Sequence, residues 1–292
     1  MFVFQVGDIL VSRIVEMEMP LLVAKSFFPD WNNQIVEQHK QWLIPRHFDP
    51  VSGKVVINIQ AFLIETPRSK ILVDTCVGNH KSRNRDLFNQ ANLPWFDNFT
   101  ARGILPEDID FVICTHMHVD HVGWNTRLRD GRWVPTFPNA KYIFAKNELK
   151  YWLEQSQSNL MGRTGDYIVD SVIPILEAKR EIIVDKEHDL EDGIRLIPLP
   201  GHTPGMVGVD VCSRAQRAIL CGDLMHHIIQ CHQPDWSTIA CADMKSASVT
   251  RKKFFENYAD TNVLIFPSHF PNPTGGFVLS KGDEFVFSFI EE

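Results

Sequence analysis

The sequence is most informative at Phe111-Val112-Ile113-Cys114-Thr115-His116-Met117-His118-Val119-Asp120-His121, where an apolar run ends in three imidazoles and a carboxylate. Because side chains alternate along an extended chain, His116, His118 and Asp120 fall on one side of it, and His121 turns to a neighbouring position. Imidazole nitrogen and carboxylate oxygen are ligands that zinc accepts, at about 2.0–2.2 Å. Buried without partners in an apolar core, each would cost a few kcal/mol. The stretch therefore predicts a metal site rather than a polar loop that is rich in histidine by chance.

Three later segments place further ligand-type side chains after apolar runs. They are Pro200-Gly201-His202-Thr203-Pro204-Gly205, Leu220-Cys221-Gly222-Asp223 and Phe266-Pro267-Ser268-His269. The glycines and prolines around His202 form a tight turn that can direct one imidazole inward. Taken alone, a histidine after a strand is usually a surface or core residue, and an aspartate after glycine usually a turn or a helix cap. Together with the first stretch, these segments predict a larger metal site, in which the Asp223 carboxylate would be a suitable bridge between two cations.

The pattern of apolar runs predicts an α/β protein with a double sheet. Residues 55–64 and 71–73 read as a hairpin around a turn at 66–70. Further short strands are expected at 111–114, 142–144, 182–184, 194–197, 207–211, 218–220, 263–266 and 285–290. Helices are expected at 146–155 and 246–258, and a weaker one at 167–176, which Pro174 interrupts. The expected organisation is one domain over residues 1–292, with a metal-binding core at about 55–270.

Composition narrows the class of protein. No run approaches 18 apolar residues, so no membrane span is expected, and charges within the first twenty residues argue against an export signal. The formal net charge of −7 argues against a surface that follows nucleic-acid phosphates. The six cysteines are scattered without a C-x-x-C pair and are expected to be reduced thiols. These observations predict a cytoplasmic protein whose partners include neither nucleic acid nor a membrane.

From about Val55 to His269 the chain resembles the metallo-β-lactamase fold superfamily, whose H-x-H-x-D-H motif matches residues 116–121. The resemblance implies an α/β fold, a four-layer αβ/βα sandwich with its site at the edge of two sheets. It also implies two metal ions, most readily zinc, although iron, manganese and cobalt suit the same ligands. Asp74 matches the family's buried acidic strand end, and Cys76 stands where the family usually has glycine. By the family pattern, one metal is held by His116, His118 and His202, the other by Asp120, His121 and His269, and Asp223 bridges them.

Such a site is expected to use a bridging hydroxide against an electrophilic carbonyl or phosphoryl centre, with Asp120 accepting or relaying a proton. The segment from Gly222 to His227 and the residues after Pro267 resemble the acyl-homoserine lactonase and methyl-parathion-hydrolase-like branch. The leading hypothesis is a hydrolase with a small-molecule substrate, either a lactone, acyl-homoserine lactones included, or a related ester. The alternative within catalysis is a hydrolase of organophosphate triesters or aryl esters. The alternative of another class is a catalytically silent metal-binding sensor.

Several side chains are candidates for the substrate pocket. Trp124 is expected near the metals, and His226, His227 and His232 either line the pocket, assist a leaving group or belong to a solvated loop. Two aromatic groups either wall an acyl pocket or form core or a subunit contact, and the first of them is the hypothetical contact of a homodimer. The groups are Phe27, Phe28 and Trp31, and Trp95, Phe96 and Phe99.

Overall fold

The structure is a computed structural model that describes residues 3–290. It divides into two compact units. The first unit contains the described residues up to Glu16 together with Ile59–His188, and the second contains Met17–Asn58 together with the described residues from Asp189 onward. The single domain expected over residues 1–292 stays a prediction.

Strands account for most of the regular structure between residues 3 and 290. They are β1 Val3–Val6, β2 Ile9–Val23, β3 Phe48–Asp49, β4 Lys54–Glu65, β5 Lys70–Val73, β6 Phe111–Ile113, β7 Thr126–Arg129, β8 Arg132–Pro135, β9 Lys141–Ala145, β10 Glu181–Val184, β11 His188–Glu191, β12 Ile194–Pro198, β13 Val207–Ser213, β14 Gln216–Gly222, β15 Val263–Pro267, β16 Gly276–Lys281 and β17 Glu284–Phe289.

The helices are short, apart from three of 11 to 15 residues. They are α1 Ala24–Phe27, α2 Asn33–Leu43, α3 Trp95–Thr100, α4 Lys146–Gln157, α5 Ile168–Ser171, α6 Ile173–Glu177, α7 Ile229–His232 and α8 Met244–Tyr258, with 3-10 turns at Pro106–Asp108 and Gly123–Asn125. Side chains cap α2 and α8, since Asn32 accepts from the Ile35 amide and Asp243 from the Ser246 amide. Among the described residues, no helix is both long and apolar enough to cross a membrane.

The first sheet orders its strands β1-β2-β4-β5-β6-β9-β10, with β3 paired to β4. Strands β5, β6, β9 and β10 run parallel, and Val73 is the register partner of Ile113. Because the carboxyl ends of parallel strands meet at one edge, the residues after β5 and β6 leave the sheet side by side. The amide of Asp74 accordingly donates to the carbonyl of Ile113 at 2.8 Å.

The second sheet orders its strands β11-β12-β13-β14-β15-β16-β17. The turn after β12 lies between Pro198 and Val207, which are register partners in an antiparallel pair. Strand β14 runs antiparallel to β13 and parallel to β15, with Gly222 opposite Pro267. These pairings bring the 199–206 turn and the ends of β14 and β15 to the same edge of the sheet.

The expected α/β class and most expected elements are confirmed, with ends that differ by a few residues. The weak helix at 167–176 is two short helices that meet at Val172, with Pro174 in the first turn of the second, where proline is tolerated. Strand β2 and helix α2 had no counterpart in the prediction. Strand β2 carries Arg13, Glu16 and Glu18 among its apolar residues, and these charges hide its alternation.

Candidate metal centre

The first unit carries the stretch His116 to His121 in the turns that follow β6. The Nε2 atom of His116 lies 3.1 Å from Nδ1 of His118, and the ring centroids of His116 and His121 are 4.0 Å apart. Two ligands at about 2.0–2.1 Å from one tetrahedral zinc ion lie roughly 3.3 Å apart. The spacing of the two nitrogens therefore fits a shared cation. His116 and His121 are buried, and His118 and Asp120 are half-buried.

Asp74 holds this stretch in place from the end of β5. Its Oδ1 accepts the amide of Thr115 at 2.8 Å, and its Oδ2 accepts from Nδ1 of His121 at 2.8 Å. The Thr115 hydroxyl, itself bonded to Asp74, lies 3.1 Å from Nδ1 of His116. A carboxylate beside Nδ1 fixes the tautomer that presents the Nε2 lone pair to a metal. The family resemblance had identified Asp74 as a buried acidic strand end, and in the structure its carboxylate orients the His121 ring.

Glu148 of α4 supports the stretch from another side, and the sequence analysis missed it. Its Oε1 accepts the amide of Met117 at 2.9 Å and the indole N–H of Trp152 at 2.6 Å. The Trp152 ring in turn stands edge-on to His118, with centroids 5.1 Å apart. Glu148 is 1% exposed, and the signal available in the sequence was an acidic residue four positions before a tryptophan within an expected helix.

Trp124 lies in an aromatic stack of the first unit, with ring centroids 5.5 Å from Trp95 and 5.6 Å from Phe96. Its indole N–H donates to the buried carboxylate of Glu16 at 2.9 Å, and Glu16 also accepts the amides of Val77 and Gly78. Burial raises the pKa of Glu16 to about 7. Trp124 therefore contributes to the core and also lines a cavity of about 270 Å³.

In the second unit three imidazoles converge on one carboxylate oxygen. Oδ2 of Asp223 lies 3.2 Å from Nε2 of His202, 3.2 Å from Nε2 of His226 and 3.1 Å from Nε2 of His269. All four side chains are buried. The cause is the strand order of the second sheet, which brings the 199–206 turn and the ends of β14 and β15 to one edge. Asp223, His226 and His269 form a group that could hold a metal ion.

The Nδ1 atoms of His202 and His269 have partners that the sequence analysis missed. Nδ1 of His269 lies 2.7 Å from the carbonyl oxygen of Asn58, and Nδ1 of His202 lies 3.4 Å from Sγ of Cys241. Both contacts face away from Asp223, so each ring presents Nε2 to the carboxylate. Neither partner belongs to a recognisable motif, and nothing in the local sequence identifies them.

The three histidines that follow Asp223 have different surroundings. His226 lies beside Asp223, and the Phe27 ring stands edge-on to it at 5.5 Å. The Nε2–H of His227 donates to the carbonyl of His47 at 2.9 Å, and burial lowers the pKa of His227 to about 4. His232 stacks on Trp42 and binds Glu284. Since His226 and His227 are buried, the solvated-loop alternative is wrong for both.

The first aromatic group is core of the second unit. Phe27, Phe28 and Trp31 are 5%, 0% and 6% exposed, and they pack with Phe48 and Trp236 in one cluster. These side chains therefore provide no exposed surface for a subunit contact, and a homodimer stays a prediction without a defined face. Trp95 and Phe99 of the other group are fully buried.

The chain is similar in sequence to proteins of one superfamily. The family model described as the metallo-beta-lactamase superfamily matches residues 56–269. An N-acyl homoserine lactonase of Bacillus thuringiensis is 27% identical over 166 residues, which are 52% of this chain and 58% of that protein. The chain thus spans little more than half the length of this curated relative.

Two solved structures cover nearly the whole chain. The hydrolase AbOPH of the beta lactamase superfamily is 25% identical, with a TM-score of 0.83 over 100% of this chain and 97% of that one. AidC, a dizinc quorum-quenching lactonase in complex with a product, is 24% identical, with a TM-score of 0.76 over 99% and 98%. The expected fold and the likeness to the lactonase branch are confirmed. The full set of seven ligands, four in the first unit and three in the second, stays a prediction.

Proposed function

This chain belongs to the metallo-beta-lactamase superfamily, and on that premise we propose that it is a metal-dependent hydrolase of lactones or related esters. The observation that carries the proposal is the convergence of three buried Nε2 atoms on Oδ2 of Asp223, at 3.1–3.2 Å. A buried carboxylate among imidazoles is a donor set suited to zinc rather than to an apolar core.

The proposed ligand set follows the family pattern. His116, His118 and His202 would hold one cation, Asp120, His121 and His269 would hold the other, and Asp223 would bind both. The contact of His116 with His118 in one unit and the contacts of Asp223 in the other support this assignment. Zinc is the proposed metal, since both units supply imidazole nitrogen and carboxylate oxygen.

Two bound divalent cations would polarise a carbonyl oxygen and supply a nucleophile at neutral pH by lowering the pKa of water. The chain's own residues hold and orient the reactants. Asp120, half-buried in the motif, is the proposed acceptor or relay for a proton. Asp74 and Glu148 keep the motif rigid through the bonds to Thr115, His121 and Met117.

His226 is the strongest of the three proposed pocket residues, Trp124, His226 and His227. Its Nε2 lies 3.2 Å from Oδ2 of Asp223, so of the three it alone contacts a proposed metal ligand of the second unit. Trp124 and His227 are weaker candidates because their ring N–H groups already donate to Glu16 and to the His47 carbonyl.

A lactone is the proposed substrate because the Bacillus thuringiensis relative is an N-acyl homoserine lactonase. The test is a parallel measurement of kcat/KM on an N-acyl-homoserine lactone and on an aryl phosphotriester, with zinc-loaded protein. We expect a preference for the lactone, loss of turnover with chelator, and about two zinc ions per chain.

Two controls complete this assay. Asp223→Asn keeps the size of the side chain but weakens it as a ligand. This variant should lose zinc binding and, with it, turnover. A preference for the phosphotriester by orders of magnitude would assign the alternative hydrolase activity instead. If the zinc-loaded protein turns over no member of a broad lactone and ester panel, the silent-sensor hypothesis replaces both.

A further inference from the structure

Four of the five proposed imidazole ligands differ in what their Nδ1 atoms contact, and the fifth, His118, has Nδ1 3.1 Å from Nε2 of His116. His121 faces the Asp74 carboxylate at 2.8 Å, His269 the Asn58 carbonyl at 2.7 Å and His116 the Thr115 hydroxyl at 3.1 Å. These partners are oxygen atoms, the usual partners of metal-bound histidine. His202 alone among these four rings faces sulfur, with Nδ1 3.4 Å from Sγ of Cys241.

The backbone around Cys241 is fitted to the turn that carries His202. The amide of Ala242 donates to the carbonyl of His202 at 2.8 Å, and that of Asp243 to the carbonyl of Gly201 at 3.1 Å. Gly201 has φ +131°, and a Cβ there would come within 2.3 Å of the Ala247 amide nitrogen. The turn and the start of α8 are therefore in close contact, which brings Sγ of Cys241 to the imidazole.

The thiol is also held in place. Sγ of Cys241 lies 3.6 Å from the hydroxyl of Thr238, which is fully buried, and the amide of Cys241 donates to the Thr238 carbonyl at 3.0 Å. The side chain is thus fixed on the side of the His202 ring opposite Asp223, since Nε2 of His202 faces Oδ2 of Asp223 at 3.2 Å.

We propose that Cys241 is a positioning residue of the metal centre, whose sulfur accepts the Nδ1–H of His202. The proposal rests on the ligand role given to His202 in the proposed function. A metal-bound Nε2 must offer its lone pair, so the ring proton belongs on Nδ1. The Cys241 sulfur accepts the hydrogen bond from that N–H and holds the ring in the orientation that directs Nε2 at the metal.

Sulfur is a weak acceptor, so this hydrogen bond is weaker than the hydrogen bonds to oxygen made by the other three rings. Its loss nevertheless removes the sulfur acceptor from a buried N–H and one of the contacts that orient the ring. Removing the hydrogen-bond partner of a metal-bound imidazole typically lowers the metal affinity about 10–100-fold. The effect of a change at Cys241 should fall on the zinc ion that His202 holds and leave the other largely unchanged.

The test compares zinc affinity, by competition with a chromophoric chelator, in the wild type, Cys241→Ala and Cys241→Ser. Cys212→Ala is the matched control, because Cys212 is an exposed thiol of the same unit. We expect about 10–100-fold weaker binding of one of two zinc ions in Cys241→Ala. Cys241→Ser keeps an acceptor and should fall between this variant and the wild type, and Cys212→Ala should match the wild type.

A second readout separates positioning from packing. Nitrogen-15 NMR of labelled histidine should show the zinc-loaded wild type with the His202 proton on Nδ1, and an altered His202 signal in Cys241→Ala and Cys241→Ser. The thermal stability of the metal-free variants should stay close to that of the metal-free wild type. Zinc affinity unchanged in both Cys241 variants would overturn the inference while leaving the proposed function intact. A wild type that binds no zinc would overturn both.

Discussion

At the scale of single residues, buried polar groups beside the histidines fix the backbone and the ring orientations of the metal motif. Asp74 bonds both the Thr115 backbone and the His121 ring, and it does so from a left-handed backbone conformation, φ 59°, which aspartate tolerates better than most residues. One carboxylate thereby fixes the backbone before the motif and the tautomer of its last histidine. Metal affinity should depend on Asp74 although it is not among the proposed ligands.

Asp74→Asn tests this dependence. The amide oxygen can still accept the Thr115 amide, but an amide nitrogen replaces Oδ2 and cannot accept from the His121 ring. We expect about 10–100-fold weaker zinc binding, measured by chelator competition. Asp110→Asn is the control, because Asp110 also accepts a backbone amide, that of Lys70, but is exposed. Equal zinc affinity in Asp74→Asn and the wild type would contradict the supporting role of Asp74.

A second prediction at this scale concerns acid sensitivity. Burial, with His227 and Arg46 nearby, lowers the pKa of His47 to about 2. An unfolded histidine has a pKa of about 6.5, so below that pH the folded state binds fewer protons at this site, and stability falls as the pH drops. At pH 5 the cost is about 2 kcal/mol for this one imidazole.

Urea unfolding at pH 7.5 and pH 5.0, with chelator present throughout, measures the effect. The wild type should lose about 2 kcal/mol more free energy of unfolding between these pH values than His47→Gln. His80→Asn changes an exposed histidine and should show the full wild-type loss. An identical pH dependence in His47→Gln and the wild type would show that His47 is not held neutral.

At the scale of elements, the turn after β5 and the turn after the metal motif fit together. The amides of Thr75, Gly123 and Trp124 donate to the carbonyls of His121, Cys76 and Thr75 at 2.7–2.8 Å. Cys76 adopts φ 50° in this turn, a left-handed conformation that costs a side chain roughly 1–2 kcal/mol. This conformation explains why glycine suits the position in the family, and why cysteine there changes stability rather than the ligand set.

Comparison of Cys76→Gly with Cys76→Ala isolates that strain, because both variants lose the thiol. We expect Cys76→Gly to be more stable than Cys76→Ala by about 1 kcal/mol in urea unfolding. Glycine, unlike alanine, adopts a positive φ without the steric cost of a Cβ. The same pair at Cys114, a buried cysteine absent from the positive-φ residues, should favour alanine. A result at position 76 that matched position 114 would argue against backbone strain.

At the scale of the whole molecule, each unit carries part of the proposed ligand set, and neither unit carries all of it. A metal ion that binds only the folded state stabilises it by mass action. The gain is about 2.7 kcal/mol per site when the free metal concentration is one hundred times the dissociation constant. Zinc should therefore change the stability of the entire chain and not only its activity.

Thermal unfolding with zinc and with chelator tests this expectation. We expect zinc to raise the Tm by several degrees, and chelator to reverse the gain. Magnesium, which prefers oxygen ligands in octahedral geometry, is the matched control and should have little effect. Asp223→Asn should respond weakly to zinc, and a full response from this variant would exclude Asp223 as a ligand of either ion.

The sequence by itself determined the family, the fold class and the types of side chain proposed as ligands, because the motif at 116–121 and the later strand ends place their chemistry within a few neighbouring residues. It also located most strands between residues 3 and 290, since their apolar runs are local. Only the tertiary structure decided what supports each histidine. Asn58 is 211 residues from His269 and Cys241 is 39 residues from His202. Contacts at such separations depend on strand order and on how turns pack, and no local pattern encodes either. His226 lies only three residues after Asp223, so its contact with that carboxylate is local. The partner of its neighbour His227, the His47 carbonyl, is 180 residues away and again depends on the tertiary structure.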